Sequence, residues 1–139
     1  MALIINNKLL KTITLFLLGI FSSFSLPPYN YFFINFLTFP LLFYILVHNN
    51  ENIFNNFFFG WLFGFGYFLS NLYWISNSLK FDENFENLII FSILFIPFLL
   101  SIFYGLFSTT INLFNLKMDF NSILTFSLIL SIFEYLRGT

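Results

Sequence analysis

The chain has 139 residues, of which 59% are hydrophobic and 8% are charged, and its formal net charge at pH 7 is -1. A soluble globular domain carries about 25% charged residues, so this composition excludes an ordinary water-facing surface. The five basic residues are scattered, which excludes the clustered basic footprint of a nucleic-acid-binding protein.

Long apolar runs separated by short polar connections make up the sequence. Barrel strands would alternate apolar and polar residues over about 10 residues. The run from Leu88 to Ile96 is instead almost continuously apolar, which indicates helices. The sequence therefore predicts one all-α domain over residues 1–139, a polytopic transmembrane helical bundle with about five spans. The predicted spans run from Leu9 to Leu26, Tyr31 to Val47, Ile53 to Leu79, Leu88 to Leu113 and Phe120 to Leu136.

The first predicted span begins beside two basic residues, Lys8 and Lys11. Lys11 is close enough to the start of the span to extend its ammonium group to the membrane surface. An alternative interpretation is a signal peptide, cleaved near Ser22 and Ser23.

The third predicted span has two contrasting faces. Its small and polar face carries Gly60, Gly64, Tyr67, Asn71, Trp74 and Ser78, and its apolar face carries Phe58, Leu62, Phe65, Leu69 and Leu72. Small residues let helices approach closely, so Gly60, Gly64 and Asn71 are the predicted helix-packing positions. Trp74 is a candidate for the wall of a lipid cavity; the alternative is plain helix packing or a place in an interfacial aromatic belt.

The fourth and fifth spans repeat this pattern. In the fourth, one face holds Pro97, Ser101, Tyr104, Ser108 and Asn112, and the opposite face holds Phe95, Leu99, Ile102 and Leu106. In the fifth, Ser127, Ser131 and Glu134 align on one side. We expect the polar faces to pack inside the bundle.

Glu134 and Arg137 form the one close pair of opposite charges at a span end, with a spacing that allows contact on a helix. A charge at membrane depth usually has a function, so both residues are lipid-cavity or structural candidates; the alternative is a solvated interfacial pair. The single His, His48, has no second ligand nearby, so we expect no metal and no cofactor. No nucleophile–base pair can be assembled.

The orientation of the bundle follows from the basic residues near the span ends. Alternate counting places Lys8, Lys11 and Lys117 on one side, and Lys80 and Arg137 on the other. The excess predicts a cytoplasmic N-terminus in a multi-pass protein of a bacterial inner membrane.

Three motifs together resemble a known family. They are FSLPPY at residues 24–29, GWLFGFG at residues 60–66 leading to LYWI at 72–75, and FEYLRG at residues 133–138. In order and spacing they resemble the N-terminal membrane part of apolipoprotein N-acyltransferase. The resemblance covers nearly the whole chain.

The resemblance implies a function in lipoprotein maturation. Family members move an acyl chain from a phospholipid to the N-terminal amine of a diacylated lipoprotein, through a thioester in a nitrilase-like domain. Of the motif residues, Trp74, Glu134 and Arg137 are the ones carried over as candidates. No nitrilase-like domain is recognisable in these residues and there is no Cys, so no catalytic residue can be carried over.

Three hypotheses follow. The first is the membrane portion of a truncated or split N-acyltransferase, not catalytic alone, with membrane phospholipid, a separately encoded nitrilase-like domain and diacylated lipoproteins as partners. The second is a non-catalytic membrane relic or scaffold. The third is a small transporter or channel subunit, which ranks last because the charged pair is expected at a span end.

Overall fold

The structure is a computed structural model that describes residues 7–48, 52–72 and 86–138. Within these ranges all regular structure is helical, which confirms the all-α prediction. The helices are α1 (Lys8–Ser23), α2 (Asn35–Val47), α3 (Ile53–Leu72), α4 (Glu86–Leu113) and α5 (Phe120–Gly138), and a 3-10 turn at Phe32–Ile34 leads into α2. The predicted continuation of the third span from Leu72 to Leu79 lies outside the described residues.

The helix boundaries follow from local hydrogen bonding. Asn7 caps α1, because its side chain accepts hydrogen bonds from the backbone N–H groups of Leu9 and Leu10. At the start of α5, the Asp119 carboxylate accepts the backbone N–H of Ser122 at 2.8 Å. Hydrogen bonds from Ser122, first from its side chain and then from its backbone N–H, hold the pKa of Asp119 below its ordinary value. The first span ends at Ser23 rather than Leu26, because a tight loop begins there.

Helix α3 lies between α1 and α4, and glycines permit the close approach on both sides. A side chain at Gly60 would overlap the backbone of Tyr104, and one at Gly64 would lie 2.9 Å from the Tyr104 Cβ atom. On the other side, a side chain at Gly66 would overlap the backbone of α1, and one at Gly19 would overlap the backbone of α3. Gly60 and Gly64 thus lie where the backbones of α3 and α4 come close together.

The two predicted small and polar faces meet each other. Tyr67 on α3 and Ser101, Tyr104 and Ser108 on α4 are all buried. The apolar face of α4 is exposed, at 42% for Phe95, 44% for Leu99, 36% for Ile102 and 46% for Leu106. This confirms the face assignment for α4, and it leaves the apolar side of that helix available to lipid.

Two predictions about faces are wrong. Lys11 does not extend outward: it is 2% exposed, and its ammonium lies 5.0 Å from the centre of the Phe59 ring, because α1 turns that side toward α3. Ser127 and Ser131 are exposed and donate to carbonyl groups one turn earlier in their own helix. The buried face of α5 is instead formed by Ser122, Phe126 and Ile129.

The segment Phe91–Leu113 of α4, 23 residues with a mean hydropathy of 2.1, is long and apolar enough to cross a membrane, and it is the one such helix among the described residues. Helix α1 has 16 residues, about 24 Å at 1.5 Å per residue, which is less than the roughly 30 Å of a bilayer core. Helix α3 has 20 residues, but Asn and Gly interrupt its apolar run. Five spans therefore remain a prediction.

Alternating helix directions give the bundle two ends. We call the end where α1 begins the lysine end; α2 and α4 finish there, near His48 and Lys117. The other end is the loop end, where α1, α3 and α5 finish. At the loop end the Ser22 hydroxyl donates to the Asn35 side-chain oxygen at 2.8 Å, which ties α1 to the start of α2.

Candidate functional site

The last turns of α5 bring both predicted charged residues together. Arg137 Nη2 lies 2.6 Å from Glu134 Oε2, and Arg137 Nη1 donates to Oε1 at 3.3 Å. The contact forms because residues three apart lie on the same face of a helix. The side chains are 35% exposed for Glu134 and 23% exposed for Arg137, so the pair is half-buried rather than fully solvated.

The ion pair extends to two further helices. The Tyr104 hydroxyl of α4 donates to Glu134 Oε1 at 2.6 Å. On α3, the Tyr67 hydroxyl interacts with the Arg137 guanidinium, which also lies 5.1 Å from the centre of the Phe68 ring. We call Tyr67, Tyr104, Glu134 and Arg137 the Glu134 cluster. It joins α3, α4 and α5 through polar contacts.

The Glu134 cluster lies beside the inner part of α4, although Glu134 itself is near the end of α5. Tyr104 is about 14 Å from the Leu113 end of the apolar α4 segment and about 20 Å from its Phe91 end, at 1.5 Å per residue. Because α4 extends past the end of α5, a residue near the end of α5 meets the inner part of α4. Glu134 and Arg137 thus lie in the last turns of α5, at the end of the predicted fifth span, and their cluster contacts α4 inside its apolar segment.

A pocket of about 350 Å³ lies at the loop end. It is lined by Ser23, Phe24, Pro27, Pro28, Tyr29, Ser70 and Asn71. The FSLPPY loop and the end of α3 thus line the same pocket, and a backbone hydrogen bond from the Tyr31 N–H to the Phe24 carbonyl at 3.0 Å closes that loop. Asn71, predicted as a helix-packing residue, is half-buried and lines this pocket. Trp74 lies outside the described residues.

The charged and hydroxyl groups of the Glu134 cluster bond to one another. Both carboxylate oxygens of Glu134 already accept hydrogen bonds or an ion pair, and Arg137 neutralises the charge. Among the described residues, no three His, Cys, Asp or Glu side chains are placed to hold a metal ion. His48 lies at the lysine end, where its Nδ1 is 2.9 Å from the Tyr44 carbonyl oxygen.

Parts of this arrangement were not predicted from the sequence. Tyr67 and Tyr104 were expected on packing faces, but their contacts with the ion pair were not expected. The signal available was that both tyrosines lie on faces expected to be buried, where a phenol hydroxyl requires a partner. Phe68 gave no signal, because it is one of 26 Phe residues.

Comparison with known proteins connects this arrangement with one family. A family model described as the apolipoprotein N-acyltransferase N-terminal domain matches residues 18–139. The match begins within α1 and includes the loop-end pocket and the Glu134 cluster. No solved structure matches the chain.

Similar proteins with curated names carry the name of the same family. The chain is 38% identical over 97 residues to an apolipoprotein N-acyltransferase of Rhizobium etli, covering 63% of this chain and 18% of the relative. It is 33% identical over 104 residues to one of Agrobacterium fabrum, covering 68% and 20%. A Brucella melitensis relative is 28% identical across 97% of this chain and 27% of its own length. The chain thus spans roughly a fifth to a quarter of these relatives.

Proposed function

Because this chain belongs to the apolipoprotein N-acyltransferase family, we propose that it forms the membrane-embedded portion of such an enzyme. The proposed reaction transfers an acyl chain from a phospholipid to the N-terminus of a diacylated lipoprotein. The observation that carries the proposal is the family match over residues 18–139, which includes all or part of every described helix.

We place the protein in a bacterial inner membrane. The apolar segment Phe91–Leu113 supports at least one crossing, and its exposed apolar face supports contact with lipid. Our proposed arrangement has about five spans, with the lysine end toward the cytoplasm and the loop end toward the opposite side. In this arrangement the loop-end pocket opens toward the compartment in which lipoproteins are acylated.

These 139 residues contribute positioning, and the acyl-transfer chemistry is supplied from outside them. Acyl transfer through a thioester needs an activated Cys, and the sequence contains none. Neither does the Glu134 cluster provide a substitute, because its carboxylate is already paired. We therefore propose that this segment alone transfers no acyl group and that a nitrilase-like domain completes the enzyme.

The Glu134 cluster and the loop-end pocket would hold the helices in register at the lipid surface. Joining α3, α4 and α5 through Tyr67, Tyr104 and Glu134 fixes where α5 ends. The pocket beside Ser70 and Asn71 combines polar groups with the apolar rings of Phe24 and Tyr29. That mixture suits the boundary between the head group and the acyl chains of a phospholipid.

A reconstitution experiment tests the proposal. The purified chain is incubated with phospholipid vesicles and a diacylated Cys peptide, and mass spectrometry detects any N-acylated peptide. A full-length relative serves as the positive control. We expect no product from the chain alone and product when a separately expressed nitrilase-like domain is added. Product from the chain alone would contradict the assignment of the chemistry, and silence in both reactions would favour a relic or scaffold.

A further inference from the structure

Helix α4 contains a proline, Pro97, and the helix continues through it. Proline has no backbone N–H, so the carbonyl group of Ile93, one turn earlier, lacks its ordinary helical donor. One turn later, the hydroxyl of Ser101 donates to the Pro97 carbonyl group, and a bond of this type often bends a helix. Two features at the same point of α4 therefore favour bending there.

The burial of α4 differs on the two sides of Pro97. Before the proline, none of the side chains from Phe91 to Ile96 is buried, and we call this stretch the α4 arm. From the proline onward, one face of α4 is buried, with Pro97, Ser101, Tyr104, Phe107, Ser108 and Ile111. The glycines of α3 bring its backbone against this second part of α4. The second part is thus fixed to α3, whereas burial holds the α4 arm much less.

A side chain of α3 reaches α4 immediately after the proline. The Trp61 Nε1–H donates to the Phe98 carbonyl oxygen at 3.1 Å, and the two rings meet edge to face with their centres 5.1 Å apart. The indole also stacks on Phe58 and Phe65 of its own helix, at 6.1 and 5.0 Å between ring centres, which fixes its orientation. Phe98 lies inside the apolar segment of α4, where no water competes for this hydrogen bond. The bond therefore holds the first turn after Pro97 against α3.

We propose that Pro97 is a hinge in α4 and that Trp61 is the latch that controls how often it bends. While Trp61 bonds to Phe98, the α4 arm keeps the position seen in the structure. When that bond breaks, the arm swings about Pro97 away from the end of α3. Tyr104 lies about two turns beyond the hinge, so its bond to Glu134 stays intact during the motion. The hinge lets the loop end of the bundle change shape while α3, the second part of α4 and α5 remain joined.

Distances between paired spin labels test the hinge in the full chain, reconstituted in lipid nanodiscs. The sequence contains no Cys, so each label can be attached to an introduced cysteine. A label at Leu17 of α1 is paired with one at Leu94 in the α4 arm or, as the reference, with one at Leu106 beyond the hinge; all three side chains are exposed. Trp61→Phe keeps an aromatic ring but removes the N–H donor. We expect it to raise the ratio of moved to original Leu17–Leu94 distances about two- to tenfold, the range for one neutral hydrogen bond, and to leave the Leu17–Leu106 distance unchanged.

Phe58→Leu is the matched control for the latch, because it removes a ring stacked on Trp61 but leaves the donor to Phe98 in place. Pro97→Ala tests the hinge itself, since it restores the missing backbone donor. In the double variant it should cancel the effect of Trp61→Phe. Pro97→Ala alone should also slow amide hydrogen exchange in the α4 arm, a measurement that does not depend on whether Trp61→Phe folds.

Several results would overturn the proposal. One is a Leu17–Leu94 distance that Trp61→Phe leaves unchanged, and another is an equal change in both label pairs, which would mean general loosening. An effect of Phe58→Leu as large as that of Trp61→Phe would exclude the latch. Persistence of the effect in the double variant, or hydrogen exchange in the α4 arm that Pro97→Ala does not slow, would exclude the hinge.

Discussion

The Tyr104 hydroxyl donates a 2.6 Å hydrogen bond to Oε1 of Glu134, and this bond connects the inner part of α4 with the last turns of α5. The buried side chains of α5 are Ser122, Phe126 and Ile129, so the bond adds a polar contact to a packed face that is mainly apolar. The bond also brings a carboxylate beside the apolar span of α4.

Tyr104→Phe should destabilise the bundle by about 1.5–3 kcal/mol, the range for a hydrogen bond to a charged group. The substitution removes only the hydroxyl and leaves the ring contacts of Tyr104 in place. Thermal unfolding in detergent provides the measurement. Tyr135→Phe is the matched control, since Tyr135 is 72% exposed. Equal effects of the two substitutions would show that the Tyr104–Glu134 bond contributes nothing.

The Glu134–Arg137 ion pair should show coupling in a double-mutant cycle. Arg137→Gln leaves a half-buried carboxylate without its cation, and Glu134→Gln leaves the guanidinium without its anion. We expect the double variant to be more stable than the sum of the single losses predicts, by about 0.5–3 kcal/mol. Additive losses would mean that the pair is no stronger than a solvated surface ion pair.

Gly64→Leu should reduce protein level and detergent stability more than Leu62→Ala does. A Cβ atom at Gly64 would lie 3.1 Å from the Ser101 Cα atom, so a larger side chain must push α3 and α4 apart. Overpacking of this kind costs about 1–3 kcal/mol. Leu62 is half-buried on the apolar side of α3. Equal tolerance of both changes would reverse the face assignment for α3.

Asp119 should make the start of α5 sensitive to acid. Its folded-state pKa is lowered, chiefly by the hydrogen bond from Ser122, so its stabilising effect is present above the unfolded-state pKa of about 3.9. That effect is lost as the pH falls through the folded-state pKa. Thermal unfolding measured from pH 6 to pH 3 reports the loss. Asp119→Asn keeps the capping acceptor without titrating, and it should remove this part of the pH dependence; an unchanged pH profile would argue against the cap.

The proposed orientation can be tested with introduced cysteines, because the sequence contains no Cys. Tyr29 lies at the loop end and is 49% exposed, and Met118 lies at the lysine end and is 55% exposed. An impermeant thiol reagent applied to intact cells should label Tyr29→Cys and leave Met118→Cys unlabelled. The reverse labelling pattern would place the N-terminus outside.

The sequence predicted more of the packing than of the polar contacts. Helical periodicity placed Gly60 and Gly64 on one face of the third span, and at that face of α3 their small size lets the backbone of α4 approach. The same periodicity failed for Ser127 and Ser131, whose hydroxyls bond to their own helix and need no partner across the bundle. It also failed for Lys11, whose burial depends on the neighbouring aromatic ring of Phe59.

The Glu134 cluster could be predicted only in part. The spacing of Glu134 and Arg137 predicted their contact, because both residues belong to one helix. Their contacts with Tyr104 and Tyr67 depend on how far α4 extends beyond α5, and this relative position has no local signature in the sequence. The place of Trp74 in the wall of a lipid cavity remains a prediction.

The glycines that let α3 approach its neighbours closely have an evolutionary consequence. The chain is rich in Phe, with 26 residues, and has six Gly, of which all but Gly138 lie where any side chain would overlap or crowd a neighbouring helix. Lipid-facing positions can exchange one apolar residue for another over many generations. The five Gly positions have less freedom. At Gly19, Gly60 and Gly66 an added Cβ atom would overlap the backbone of the neighbouring helix, and at Gly64 and Gly105 it would crowd residues of the helix opposite. We therefore expect the five Gly sites to change most slowly as the rest of the sequence drifts.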